Sequence, residues 1–163
     1  MAGCGAFGPS DVPDQSQFAP LAELAANDRA FVRLYGSGIV PVEFIAIHRA
    51  FVFKTAGTAR LELWELQPSE NGPYGHVRVI ESPDVNRPDY FDRAFVIAEL
   101  FDDQAQAVAE FIQTQSPTYP CRFAYELLGP NSSTYIAWIL RQTGWDVPFS
   151  IRAIGQDSPV NCM

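Results

Sequence analysis

Between Glu43 and Lys54 the chain has no polar face. Read as an extended strand, one side carries Phe44, Ala46, His48, Ala50 and Val52, and the other Ile45, Ile47, Arg49, Phe51 and Phe53. A strand apolar on both sides suits a sheet covered on both faces. Its neighbours in sequence extend that sheet. Thr55-Ala56-Gly57 makes a tight connection, and Arg60 to Leu66 alternates as an antiparallel partner would. Pro68 to Gly75 is a turn region, His76 to Ile80 a third strand, Pro83 to Pro88 a loop, and Phe95 to Leu100 a short fourth strand.

The periodicity then changes. Asp103 and Gln106 have capping-box spacing, and Val108, Phe111 and Ile112 form the i, i+3, i+4 stripe of a helix seated on a sheet. Pro117 to Pro120 ends that helix, and Phe123 to Leu128 fits neither period. A second helix begins at Asn131 or Ser132 and runs to about Thr143. Gly144 suits its C′ position, and Arg141 lies in the last turn, where a cation is favoured. Ahead of the strands, Gly5 to Pro20 has the composition of a flexible arm. A short helix from Leu21 to about Asp28 follows, then an apolar run, Phe31 to Tyr35, closed by Gly36-Ser37-Gly38. Strands first and helices last predict an α+β domain over residues 21–163, with an antiparallel sheet of about four or more strands against two or three helices.

Composition narrows the function. Of 163 residues, 47% are hydrophobic and only 18% charged, which excludes a disordered chain. A net charge of −8 offers nothing to a phosphate backbone, arguing against nucleic acid, and an anionic membrane would repel it. No window has the ~18 apolar residues of a spanning helix. There is no glycine-rich phosphate loop and no metal-ligand constellation, so neither a cofactor nor a metal is implied.

Met1-Ala2-Gly3-Cys4-Gly5 resembles the end of a bacterial lipoprotein signal, where a Leu-Ala-Gly sequence precedes an acylated cysteine. That resemblance implies a lipid anchor on Cys4 and a periplasmic or membrane-anchored location, with Met1 standing in for upstream sequence. Lipidation would leave Cys121 and Cys162 as an even pair, free to form a disulfide in an oxidising compartment. The alternative is a cytoplasmic chain with three unrelated thiols.

The chemistry concentrates in Gly129-Pro130-Asn131-Ser132-Ser133-Thr134-Tyr135. Ser132 falls at the helix N-terminus on the inward face, among backbone N–H groups that are able to hold an oxyanion. The plainer alternative makes Ser132 or Asn131 the N-cap. His48 has small neighbours, Ala46 and Ala50, that leave room beside its ring. A His on an early strand followed by this heptapeptide resembles the circularly permuted papain-like superfamily, which includes NlpC-type peptidases and lecithin:retinol acyltransferase-like enzymes. The heptapeptide is also similar to a Gly-Pro-Asn-Ser-Asn-Thr-Phe motif of bacterial members, and Ala153 to Asp157 to their C-terminal segment.

The resemblance implies a papain-like fold with circular permutation and a nucleophile at position 132, where this chain carries Ser in place of the superfamily's Cys. A serine needs His48 as a general base. Glu62 or Glu65 would orient the ring, and a one-residue slip in strand register exchanges the two. Tyr125, Asn131 and Ser133 are expected around the oxyanion and substrate. Two functions follow: an acyl hydrolase or acyltransferase acting on an amide, ester or thioester of a small molecule, peptide or lipid, or an inactive cleft reused to bind a peptide, glycan or lipid.

Overall fold

A computed structural model describes residues 12–38, 47–68, 75–81, 94–147, 153–160 and 162. Within these lie strands β1 (Phe31–Gly38), β2 (Ile47–Lys54), β3 (Glu62–Pro68), β4 (Gly75–Glu81) and β5 (Ala94–Phe101), and helices α1 (Leu21–Ala26), α2 (Asp102–Gln115) and α3 (Ser132–Thr143). The strands form one antiparallel sheet in the order β4-β3-β2-β1-β5. The class is α+β. Residues 43–46 of the expected first strand lie outside the described residues.

The two-faced strand is β2, and both faces are covered as its composition requires. Phe51 and Phe53 join Val32, Leu34, Trp64 and Leu66 beneath Val108, Ile112, Ile136 and Ile139 of α2 and α3. Ala50 and Val52 join Phe31, Tyr35 and Leu63 on the opposite face, under Leu24 of α1. Each fully buried side chain of this size contributes about 1.5–3 kcal/mol. Two cations caught in these layers are matched. Buried Arg33 donates to Glu99 at 2.8 Å and to the Ala19 carbonyl at 2.6 Å. Lys54 Nζ donates to the carbonyls of Ala25 and Asn27, at the negative end of α1.

The run Phe31–Tyr35 does not stop at its glycines. It continues through Gly36 and Gly38 as β1, between β2 and β5. Gly36 is a requirement of packing, since a Cβ there would meet Phe95 at 2.9 Å and Ile47 and Ile97 at 3.0 Å. The described part of the N-terminal stretch is tied to the sheet: Gln15 Nε2 donates to the Val96 carbonyl at 3.0 Å, and Gln15 Oε1 accepts from Val96 N at 2.7 Å. These bonds occupy the outer edge of β5, where unpaired backbone would invite another strand.

Helix α2 starts differently from expectation. β5 runs into it directly, Phe101 is the extended cap residue, and Asp102 takes φ 55° while pairing with Arg29. The Asp103–Gln106 capping box does not form. Gln106 instead accepts from the amide of Ala56 at 2.9 Å and donates to Glu110 at 2.7 Å. Helix α3 matches its sequence signals, with Gly144 at φ 68° as its left-handed C-cap and Arg141 in the last turn. Cys121 and Cys162 form a disulfide. Among the described residues, no helix is long and apolar enough to cross a membrane.

Candidate functional site

The tip of α3 is held by a network that leaves Ser132 out of the capping. Asn131 is the N-cap: its Oδ1 accepts from Ser133 N at 2.9 Å and Thr134 N at 3.2 Å, and Asn131 N donates to Thr134 Oγ1 at 3.2 Å. This is a complete capping box. Thr134 Oγ1 donates to the Gly155 carbonyl at 2.6 Å, and Asn131 Nδ2 donates to the Leu127 carbonyl at 3.0 Å. The cap thus joins the α3 tip to the loop before it and to the C-terminal segment. Gly155 packs so tightly here that a Cβ would meet Asn131 Nδ2 at 2.5 Å. Ser132 is the first helical residue, and its hydroxyl interacts with Tyr125.

The network also decides which amides remain. Those of Ser133 and Thr134 are taken by Asn131, so the amide left in the first turn is the N–H of Ser132, which has no partner among the described residues. Asn131 and Ser133, expected around the substrate, make structural bonds and also line the small cavity beside Ser132. Ser133 Oγ donates to the Ile47 carbonyl at 3.4 Å. That carbonyl is open to it because β2 pairs with β3 only from Phe51 to Phe53, opposite Trp64 to Glu62.

The carboxylate partner of His48 is Glu65. His48 Nε2 lies 2.7 Å from Glu65 Oε2, with the carboxylate fully buried and the imidazole 19% exposed. A carboxylate only accepts, so Nε2–H is the donor in this pair, and Nδ1 is the acceptor whenever the ring carries a single proton. Gln67 Nε2 donates to the other carboxylate oxygen of Glu65. Glu62 is engaged elsewhere, accepting from Trp64 Nε1 at 2.8 Å and from Gln113 Nε2 at 3.0 Å. Three residues apart on a strand, the two glutamates belong to opposite faces.

His48 follows Ala50 and Val52 on the sheet face opposite the one covered by α3. Two observations connect the His48–Glu65 pair with the helix tip across the end of the sheet. Ser133 contacts Ile47, the residue before His48. The Glu65 charge also reaches Tyr125: burial pushes that phenol above its usual range, the bond with Ser132 pulls it partly back, and Glu65 raises it further. Tyr125 therefore keeps its proton at neutral pH and is available as a donor. A small cavity of about 20 Å³ is lined by Ile47, Tyr125, Leu127, Asn131, Ser132, Ser133 and Ile154. A larger cleft of about 470 Å³, between α2 and the end of α3 near Trp145, contains none of these groups. Cys4 lies outside the described residues. Sequence reasoning missed Gln67; its position two residues beyond Glu65 on the same strand face was the available signal.

These features define a class first: an α+β protein with a carboxylate-bound imidazole near one end of β2 and a non-capping serine at the tip of the helix that abuts it. The chain belongs to the family described as Protein of unknown function (DUF3750), which matches residues 29–158 and so spans His48, Glu65, Tyr125 and Ser132. No curated protein and no solved structure matches the chain.

Proposed function

We propose that the protein is an acyl hydrolase or acyltransferase in which Ser132 is the nucleophile and His48 the base. The observation that carries this reading is the 2.7 Å pair of His48 with buried Glu65, which engages Nε2 and leaves Nδ1 as the ring nitrogen open to act as base. Support also comes from Asn131, whose capping role leaves the Ser132 hydroxyl out of the cap and bonded to Tyr125. The order of a strand His before a helix-tip nucleophile is that of the permuted papain-like superfamily which the chain resembles.

The proposed reaction requires the His48 ring and Ser132, which belong to opposite faces of the sheet, to meet around its end; Nδ1 of His48 then takes the proton of Ser132 Oγ as Oγ bonds to the acyl carbon. The carbonyl oxygen becomes an oxyanion, held by Ser132 N–H and the Tyr125 hydroxyl. The tetrahedral centre collapses, the bond to the leaving amine, alcohol or thiol breaks, and His48 returns the proton to it. Water, or an acceptor alcohol, then attacks the acyl-serine as His48 takes its proton; the acyl–Oγ bond breaks and His48 returns that proton to Ser132 Oγ. Glu65 holds the ring and stabilises its protonated form.

The disulfide Cys121–Cys162 supports an oxidising compartment, and with the lipoprotein-like Cys4 it favours the bacterial envelope as the place of action. Hydrolysis of a p-nitrophenyl acyl ester by the purified chain tests the reaction. Ser132→Ala and His48→Ala are each expected to lower turnover by about 100-fold or more; retained turnover in either variant contradicts the assignment.

A further inference from the structure

The large apolar side chains exposed among the described residues fall in one short stretch: Phe123, Leu127 and Leu128 are 61%, 67% and 73% exposed. Single exposed leucines are ordinary, but three large side chains within six residues form a patch that marks a contact surface. The loop that carries them is anchored at several points. Cys121 binds it to Cys162, Glu126 N donates to the Pro130 carbonyl at 2.7 Å, and Gly129 N to the Glu126 carbonyl at 3.0 Å. The carbonyls of Leu127 and Leu128 accept from Asn131 at 3.0 Å and Ser158 at 2.9 Å. The backbone is held while the apolar ends point outward.

Two further observations select what covers them. The chain as a whole has a net charge of −8, yet residues 121–130 contain one Arg (Arg122) and one Glu (Glu126) and are neutral. An acidic molecule with one neutral apolar face is matched to an uncharged lipid surface and repelled by an anionic one. The cavity at Ser132 is also too small for an acyl chain, at about 20 Å³, while Leu127 both lines it and projects from the surface. A long chain attached to the reacting carbonyl would therefore lie outside, along the leucines.

We propose that loop 121–130 docks on an electrically neutral lipid surface and presents Ser132 to acyl esters embedded there. The substrate assignment rests on the reaction proposed above; the docking does not. The test is sedimentation of the full chain with phosphatidylcholine vesicles, using a Cys4→Ser background to exclude any covalent anchor. The parent is expected to co-sediment, more weakly as phosphatidylserine is added. Phe123→Ser/Leu128→Ser, folded by its melting curve, is expected to lose partitioning by about tenfold or more. Ser132→Ala is expected to bind as the parent does, which separates docking from chemistry. The docking proposal is overturned if the parent ignores phosphatidylcholine or if the double variant binds equally. It is also overturned if the double substitution converts a dimer to a monomer without vesicle binding, which would assign the patch to a second copy of the chain. Vesicle binding without ester turnover removes the substrate assignment and leaves the docking surface.

Discussion

At Glu65 one buried carboxylate accepts from His48 on one oxygen and from Gln67 on the other. A buried carboxylate with both oxygens occupied is fixed in orientation, and so is the ring bound to it. Glu65→Gln is therefore expected to reduce Ser132-dependent ester turnover by about 100-fold, because the amide no longer stabilises the protonated imidazole. Glu62→Gln is expected to leave turnover near that of the parent and to lower stability by about 1–2 kcal/mol, since it weakens the bonds from Trp64 and Gln113. Parallel ester assays and urea melts on the two variants check this contrast. The choice between these glutamates was not legible in the sequence, where register alone separates them. Trp64 and Gln113, which engage Glu62, are two and fifty-one residues away from it along the chain.

At the scale of elements, α3 was the most legible part of the chain. Pro130, Asn131, Arg141 and Gly144 are local signals, and local physics decides a helix end. Since Asn131 is the cap, Asn131→Ala is expected to cost about 1–2 kcal/mol of unfolding free energy, while Ser132→Ala costs much less. Denaturant titrations compare the two. Equal losses would mean that Ser132 shares the cap. β1 was less legible, because Gly36 and Gly38 look like terminators until Phe95, Ile47 and Ile97 are seen crowding Gly36. The Asp103 capping box misled for a related reason. β5 enters α2 without a loop, and a turn fifty residues earlier in the chain engages Gln106.

For the molecule as a whole, the Cys121–Cys162 bridge connects the loop before α3 to the end of the chain, across 41 residues of sequence. Closing a loop of that length stabilises a fold by about 4 kcal/mol in the chain-entropy account. Reduction is expected to lower the unfolding free energy by that order. It is also expected to loosen the loop of Phe123, Leu127 and Leu128 before the sheet, which hydrogen exchange with and without reductant checks. The α+β class was legible from the change of period along the chain. The sheet order and the meeting of β2 with the tip of α3 were not, because both depend on contacts far apart in sequence.

The central claim is that one hydroxyl of this chain is activated by one imidazole. Labelling with a fluorophosphonate, followed by peptide mass spectrometry, tests it most directly. The account predicts a single adduct on Ser132 that is lost in His48→Ala and strongly reduced in Glu65→Gln. An unlabelled Ser132 in the folded parent, or labelling that persists without His48, would contradict it.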